Sequence, residues 1–383
     1  MLEELAQIAR ARPEQLKKKR QEGAKLVGYA GRFVPEELIH ASGAIPYLMC
    51  RGGDPEPVDA TMPYIIRFMS PYYRTQIGYH LLGIDLVMPM LDLIVLQASD
   101  VQESRIADIF DYLKLPAHRL GVPADWEKTI ALGYYQRHLT WLKQKLEALT
   151  GNPISDEKLK ESIELMNNVR TTLRKIDLLR REPQPRIGGH DFIRLNHYSF
   201  YCDLEVLPDK LNELYEQLLN AQSPFPARAP RILLIGHVVA IGDYIIPKLV
   251  EDSGGVIVAE LLEEGMRHCS WNVDTSGDLM SNLAKTYYLE RYPSSFFQPS
   301  WIKRAEIIKG MVRDLSIDGV ILYLLSFEEI HDMEAPIIAK AVGEMGIPFL
   351  RLESSYEYSR EARGTLVTRI ESFIESAKQK RGR

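Results

Sequence analysis

"KLVGYAGRFVPEELIHASGAIPYLMC", Lys25–Cys50, sets two short apolar runs on either side of a segment with helical character. "KLVGYA" reads as a buried strand. "VPEELIHAS" places a proline where a helix can open and glutamates in its first turn, and "AIPYLMC" reads as a second strand. Strand, crossover helix and strand make one βαβ unit, the building block of a parallel sheet. Downstream, "PYYRTQIGYHLLG" reads as a helix and "LDLIVLQ" as another buried strand. Ser99 and Asp100 then suit a helix N-cap before "VQESRIADIFDYL".

From about Pro123 the apolar spacing changes. "WEKTIALGYYQRHLTWLKQKLEALTG" and "SDEKLKESIELMNNVRTTLRKIDLLRRE" carry apolar positions three and four apart, the mark of amphipathic helices, with Ser155 capping the second. The loop "PQPRIGGHD" interrupts this region, and "SPFPARAP", Ser223–Pro230, is a proline-stiffened linker. Beyond it the strand-helix rhythm returns: "RILLIGH", a helix through "DYIIPKLVEDSG", "GVIVAEL", a long helical stretch to Gly310, "DGVILYLLSF", the helix "APIIAKAVGEMG" and "IPFLRLES". Continuous Val, Ile and Leu runs separated by helices predict parallel sheets covered on both faces. The expected class is α/β, with a lobe at residues 1–122, a helical domain at 123–226 and a second lobe at 227–383.

The chain has 383 residues, enough for two or three domains, and its 45% hydrophobic and 26% charged composition is globular. A net charge of −5 lacks the basic excess of a nucleic-acid binder. "MLEELAQIARARPEQ" has no signal-peptide pattern and no apolar run approaches bilayer length, so no membrane association is expected and the cytoplasm is the default location. The basic tail "KQKRGR" reads as a solvated end. Cys50, Cys202 and Cys269 stand singly, which indicates neither a disulfide framework nor a zinc knuckle. In open parallel sheets ligands bind outside the carboxyl ends of strands. That directs attention to "QASD" (97–100), "GHVVAIGD" (236–243), "ELLEEGMRHCSW" (260–271) and "SFEEIHDME" (326–334). None carries GxGxxG or GxxxxGK[ST], so a phosphate loop is missing.

"GYAGRFVPEELIHASGAIP", "SPYYRTQIGYHLLG", "LIVLQASD", "AELLEEGMRH" and "LYLLSFEEIHDMEAPII" occur in an order and spacing that resembles the 2-hydroxyacyl-CoA dehydratase and benzoyl-CoA reductase family, over nearly the whole chain. The resemblance implies two flavodoxin-like lobes and a helical domain, a CoA thioester as ligand, a homologous cluster-bearing subunit as partner and an ATP-dependent activator. It also implies a [4Fe-4S] cluster on three cysteines at strand ends. Position by position, those cysteines correspond to Ser70 before Pro71, Ser99 before Asp100 and Glu328 after Phe327. Hydroxyl and carboxylate groups are not the thiolates that hold Fe-S clusters. No cofactor and no metal is therefore expected on this chain, and a [4Fe-4S] cluster belongs on the partner subunit.

Two readings stand for most single residues. Glu36, Glu37 and His40 complement a helix and its packing, or they supply an acid and a base to a thioester; helical spacing puts Glu36 and His40 on one face and Glu37 elsewhere. Ser70, Ser99 and Glu328 are helix caps, or oxygen donors around a cation or waters. Glu263, Glu264, Arg267 and His268 form a charged strand-end loop expected to be mainly solvated, although Arg267 matches a family position suited to a CoA phosphate or a carboxylate. Tyr72, Tyr73, His237 and Asp243 are candidate pocket residues. The expected function is that of a subunit acting on a CoA thioester without the cluster. The alternatives are a stand-alone non-redox acyl-CoA enzyme and a non-catalytic scaffold.

Overall fold

The computed structural model describes residues 2–381, so the end of the basic tail lies outside the described residues. The first lobe runs α1 (Leu2–Gln21), β1 (Leu26–Ala30), α2 (Glu36–Ala41), β2 (Ile45–Leu48), α3 (Pro55–Ala60), α4 (Pro71–Leu81), β3 (Leu93–Ala98), α5 (Val101–Tyr112) and β4 (Ala117–Gly121). Helices α6 (Thr129–Thr150), α7 (Asp156–Arg181), α8 (Gly189–Ser199) and α9 (Leu207–Leu219) follow. The second lobe runs β5 (Arg231–Val238), α10 (Ile245–Asp252), β6 (Val256–Glu264), α11 (Leu279–Lys285), α12 (Trp301–Asp314), β7 (Gly319–Leu325), α13 (Glu329–Gly343), β8 (Phe349–Ser354) and α14 (Arg360–Arg381).

Each lobe holds a four-stranded parallel sheet, ordered β2-β1-β3-β4 and β6-β5-β7-β8. Counted within its lobe, each order is 2-1-3-4, the flavodoxin-like arrangement. Every residue of β5 and of β7 is buried, which is why both are rich in Ile, Leu and Val. The segments that follow β2 and β5 touch each other across the lobes. Ile241 N–H donates to Cys50 O at 2.7 Å and Gly52 N–H to Ile241 O at 3.0 Å, a short parallel bridge that ties the two strand-end regions together.

Two expectations are corrected. β4 was not anticipated, because "AHRLG" is a half-buried edge strand whose His118 and Arg119 dilute the apolar signal. The long helical stretch to Gly310 is instead α11, a π-helical turn at Thr286–Glu290, a loop and α12. Pro293 and Pro299 lack the N–H donors that a continuous helix would need. The expected caps at Ser155 and Asp100 are present, accepting from Lys158 N–H and Glu103 N–H. No helix among the described residues is long and apolar enough to cross a membrane.

Candidate functional site

The carboxyl ends of β3, β5 and β7 open onto one cavity of about 260 Å³ between the lobes. Tyr73, Ser99, Asp100, Val101 and Gln102 line it from the first lobe, and His237, Phe296, Gln298, Glu328, Glu329, Ile330 and His331 from the second. Ser70, at the start of α4, reaches it indirectly: its Oγ donates to Glu328 Oε1 at 3.4 Å. Tight local turns aim these groups. Phe327 adopts φ +67°, a left-handed conformation costly for an aromatic residue, and this turn between β7 and α13 directs Glu328 inward. Glu328 Oε2 accepts Leu325 N–H at 2.9 Å, and Gln102 Nε2 donates to Phe327 O at 2.7 Å.

His237 and Glu328 form the centre of the cavity wall. His237 Nδ1 lies 2.8 Å from Glu328 Oε1, and both side chains are buried. Burial alone would discharge the imidazole. The Glu328 carboxylate in contact with it, helped by Glu264 and Glu263, outweighs that penalty and raises its pKa to about 10. At neutral pH the His237 ring is held as an imidazolium against Glu328. The His237 ring is held by Tyr72 edge-on at 5.6 Å, Tyr73 at 5.7 Å and His331 at 4.9 Å between centroids.

Behind the cavity a buried polar layer joins the lobes. Gln97 Nε2 donates to Glu264 Oε1 at 2.9 Å and also to Glu103, while Arg32 N–H donates to Glu264 Oε1 at 3.1 Å. Gly31 is required beside it: at φ +112° an added Cβ would lie 2.2 Å from the Gln97 side chain. Burial, then the charges of Asp100 and Glu264, push the Glu103 carboxyl up to about 8, so it holds its proton at neutral pH, and it is hydrogen bonded by the Ser99 hydroxyl. Glu263 goes the other way. Burial opposes its ionisation, but Arg304, His331 and Arg32 around it hold it well below the usual carboxylate range. The expected solvated loop is thus corrected: Glu263, Glu264 and Arg267 are 3%, 4% and 6% exposed, because Arg304 pairs with Glu263, Gln97 and the Arg32 N–H donate to Glu264, and Glu36 pairs with Arg267 in the interior.

The candidates on α2 go elsewhere. Arg267 binds Glu36 through both terminal nitrogens and donates to Ser199 Oγ at 2.9 Å, so its guanidinium is occupied internally. Glu37 lies on another face of α2, held by Arg170 at 2.5 Å and by Tyr287 Oη at 2.7 Å. His40 faces a separate outer cavity of about 290 Å³, between Ser162 Oγ and Glu205 at 3.1 Å each. Asp243 accepts from Tyr323 and Tyr358, both at 2.6 Å. The structure therefore gathers Tyr73, Ser99, His237 and Glu328 with Ser70, and leaves Glu36, Glu37, His40 and Arg267 apart from them. His331, Gln102 and Glu103 were not singled out in the sequence; His331 sits in the strand-end segment "SFEEIHDME", where its proximity to the cavity could have been suspected.

The family model of the 2-hydroxyglutaryl-CoA dehydratase D-component matches residues 32–377. The chain belongs to that family. It is 22% identical to the (R)-phenyllactyl-CoA dehydratase beta subunit of Clostridium sporogenes over 358 residues, 91% of this chain and 92% of the relative. It is 24% identical to a benzoyl-CoA reductase subunit of Thauera aromatica over 349 residues, 88% and 86% of the two chains. It is 22% identical to the (R)-2-hydroxyglutaryl-CoA dehydratase subunit beta of Acidaminococcus fermentans, covering 98% of each.

For this D-component family member, the donors present do not fit the thiolate-held cluster that the resemblance implies. Ser70, Ser99 and Glu328 offer oxygens that are already engaged by one another, by His237 and by Glu103. The cysteines are separated: Cys50 packs beside Tyr72, Cys202 lines the outer cavity of His40, and Cys269 lines a third pocket. Burial pushes the Cys50 and Cys269 thiols up to about 12, which keeps them protonated.

Proposed function

We propose that this chain is one subunit of a 2-hydroxyacyl-CoA dehydratase or benzoyl-CoA reductase-like complex. Its cavity between the lobes takes the acyl end of a CoA thioester, and the [4Fe-4S] cluster resides on a homologous partner subunit supplied with electrons by an ATP-dependent activator. The observation that carries this reading is the convergence of Ser70, Ser99 and Glu328, the three positions corresponding to cluster ligands, on one cavity where His237 and Glu328 pair in place of thiolates. The three relatives described above, each named as a subunit of an enzyme of a CoA thioester, support it. A cavity of about 260 Å³ falls just below the range typical for whole drug-sized ligands, which suits an acyl group whose nucleotide lies outside.

The mouth supports the partner. Val101, 75% exposed, lines the cavity, and Phe68, 64% exposed, packs at 5.6 Å on Phe327 next to Glu328, so exposed apolar side chains of a kind that marks protein interfaces stand beside it. Against a stand-alone acid-base enzyme stands the locking of Glu36 and Glu37 by Arg267 and Arg170. The test is anaerobic turnover of an acyl-CoA. Activity is expected only when this chain, a cluster-bearing homologue, the activator and ATP are combined. Turnover by this chain alone, or a thermal midpoint unmoved by CoA thioesters, would contradict the reading.

A further inference from the structure

The His237 imidazole is 5% exposed, with one ring nitrogen spent on Glu328 and the other, Nε2, without a hydrogen-bond partner among the described residues. Its ring lines the cavity and is wedged by Tyr72, Tyr73 and His331, so Nε2 cannot turn away to find water elsewhere. Nε2 is not one of the fully enclosed polar atoms, so an acceptor entering the cavity can reach it. The first turn of α13 lines the same cavity and has no side-chain cap, so its free N–H groups add to the donor character.

Resting on the reading as a CoA-thioester subunit, we propose that His237 Nε2–H is the donor that receives the thioester carbonyl oxygen of the bound acyl group. The charge balance selects a carbonyl over a carboxylate. Glu328 neutralises the imidazolium, and Asp100 and Glu329 also line the cavity, so a full negative charge on the ligand would meet acidic neighbours. A neutral carbonyl oxygen accepts from Nε2–H without bringing a further negative charge among them. Charge that develops on that oxygen during reaction of the acyl group is then met by a preorganised N–H on a cationic ring. Glu263 and Glu264 complete the charged surroundings of the ring, keeping its proton in place.

The test compares butanoyl-CoA with its thioether S-butyl-CoA, which lacks the carbonyl oxygen, on the full chain together with any subunit that co-purifies. The wild type is expected to bind the thioester about tenfold more tightly, the scale of one hydrogen bond to a charged group. In His237→Phe that preference is expected to vanish with thioether affinity kept, and the bound thioester C=O stretch to return to higher frequency. Glu328→Gln keeps the bulk of the wall and is expected to reduce both effects, so it carries the test if His237→Phe fails to fold. Equal wild-type affinity for the two compounds, or an unchanged C=O stretch in both variants, overturns this inference while leaving the subunit reading intact. Binding of neither compound overturns both.

Discussion

His237 carries a charge that its surroundings would remove without Glu328, and the pair makes a pH-dependent contribution to stability. Between its ordinary 6.5 and about 10 the folded chain holds a proton on His237 that the unfolded chain does not. Stability from this group is therefore full below pH 6.5 and lost as pH rises through 10. Urea unfolding midpoints are expected to fall across that window in the wild type and to fall less in His237→Phe. Glu103, raised to about 8, adds a separate decline from 4.5 upward that Glu103→Gln should remove. A second prediction concerns Arg267. Because Glu36 is buried against it, Arg267→Ala leaves an uncompensated interior carboxylate and should cost about 3–5 kcal/mol in urea denaturation. A loss below about 1 kcal/mol would mean that the pair is already hydrated. The place of His237 was legible from its position near the end of an apolar strand. The burial of Glu263 and Glu264 was not, since a run of charges reveals nothing of Arg32, which meets Glu264 from 232 residues away.

Strands β1, β3, β5, β6 and β7 announced themselves because both sheet faces are covered and each therefore carries a run of mainly apolar residues. β4 escaped notice because an edge strand needs only one apolar face, and the segment before α12 because proline and serine break it into short pieces. Helix α4, which follows Ser70 and brings Tyr73 to the cavity, depends on a close approach that apolar periodicity does not reveal. A Cβ on Gly78 would lie 1.8 Å from Pro57 O on α3, against backbone that cannot move cheaply. Gly78→Ala should therefore destabilise by about 1–3 kcal/mol, the range for overpacking, and should also weaken acyl-CoA binding by displacing the tyrosine wall. Chemical denaturation together with a binding titration checks both parts, and an unchanged affinity in a folded variant would uncouple α4 from the site.

The two lobes share one topology and meet at their strand ends, where a backbone bridge at Cys50–Gly52 and Ile241 and the Gln97–Glu264 contact hold the crevice. That duplicated plan could be read from the returning strand-helix rhythm, and the ligand-bearing end from the general behaviour of parallel sheets. Which strand-end residues would face one another could not, because their convergence depends on how the lobes dock. The positions that the resemblance aligns with cluster ligands carry oxygens in a cavity where His237 and Glu328 pair, and this supports a chain that receives the thioester while its partner supplies the electron. Iron and acid-labile sulfide measured on the anaerobically purified and reconstituted chain, separated from any partner, test this most directly. The account predicts no stoichiometric iron and no thiolate-to-iron absorption; a full [4Fe-4S] complement bound to the isolated chain would contradict it.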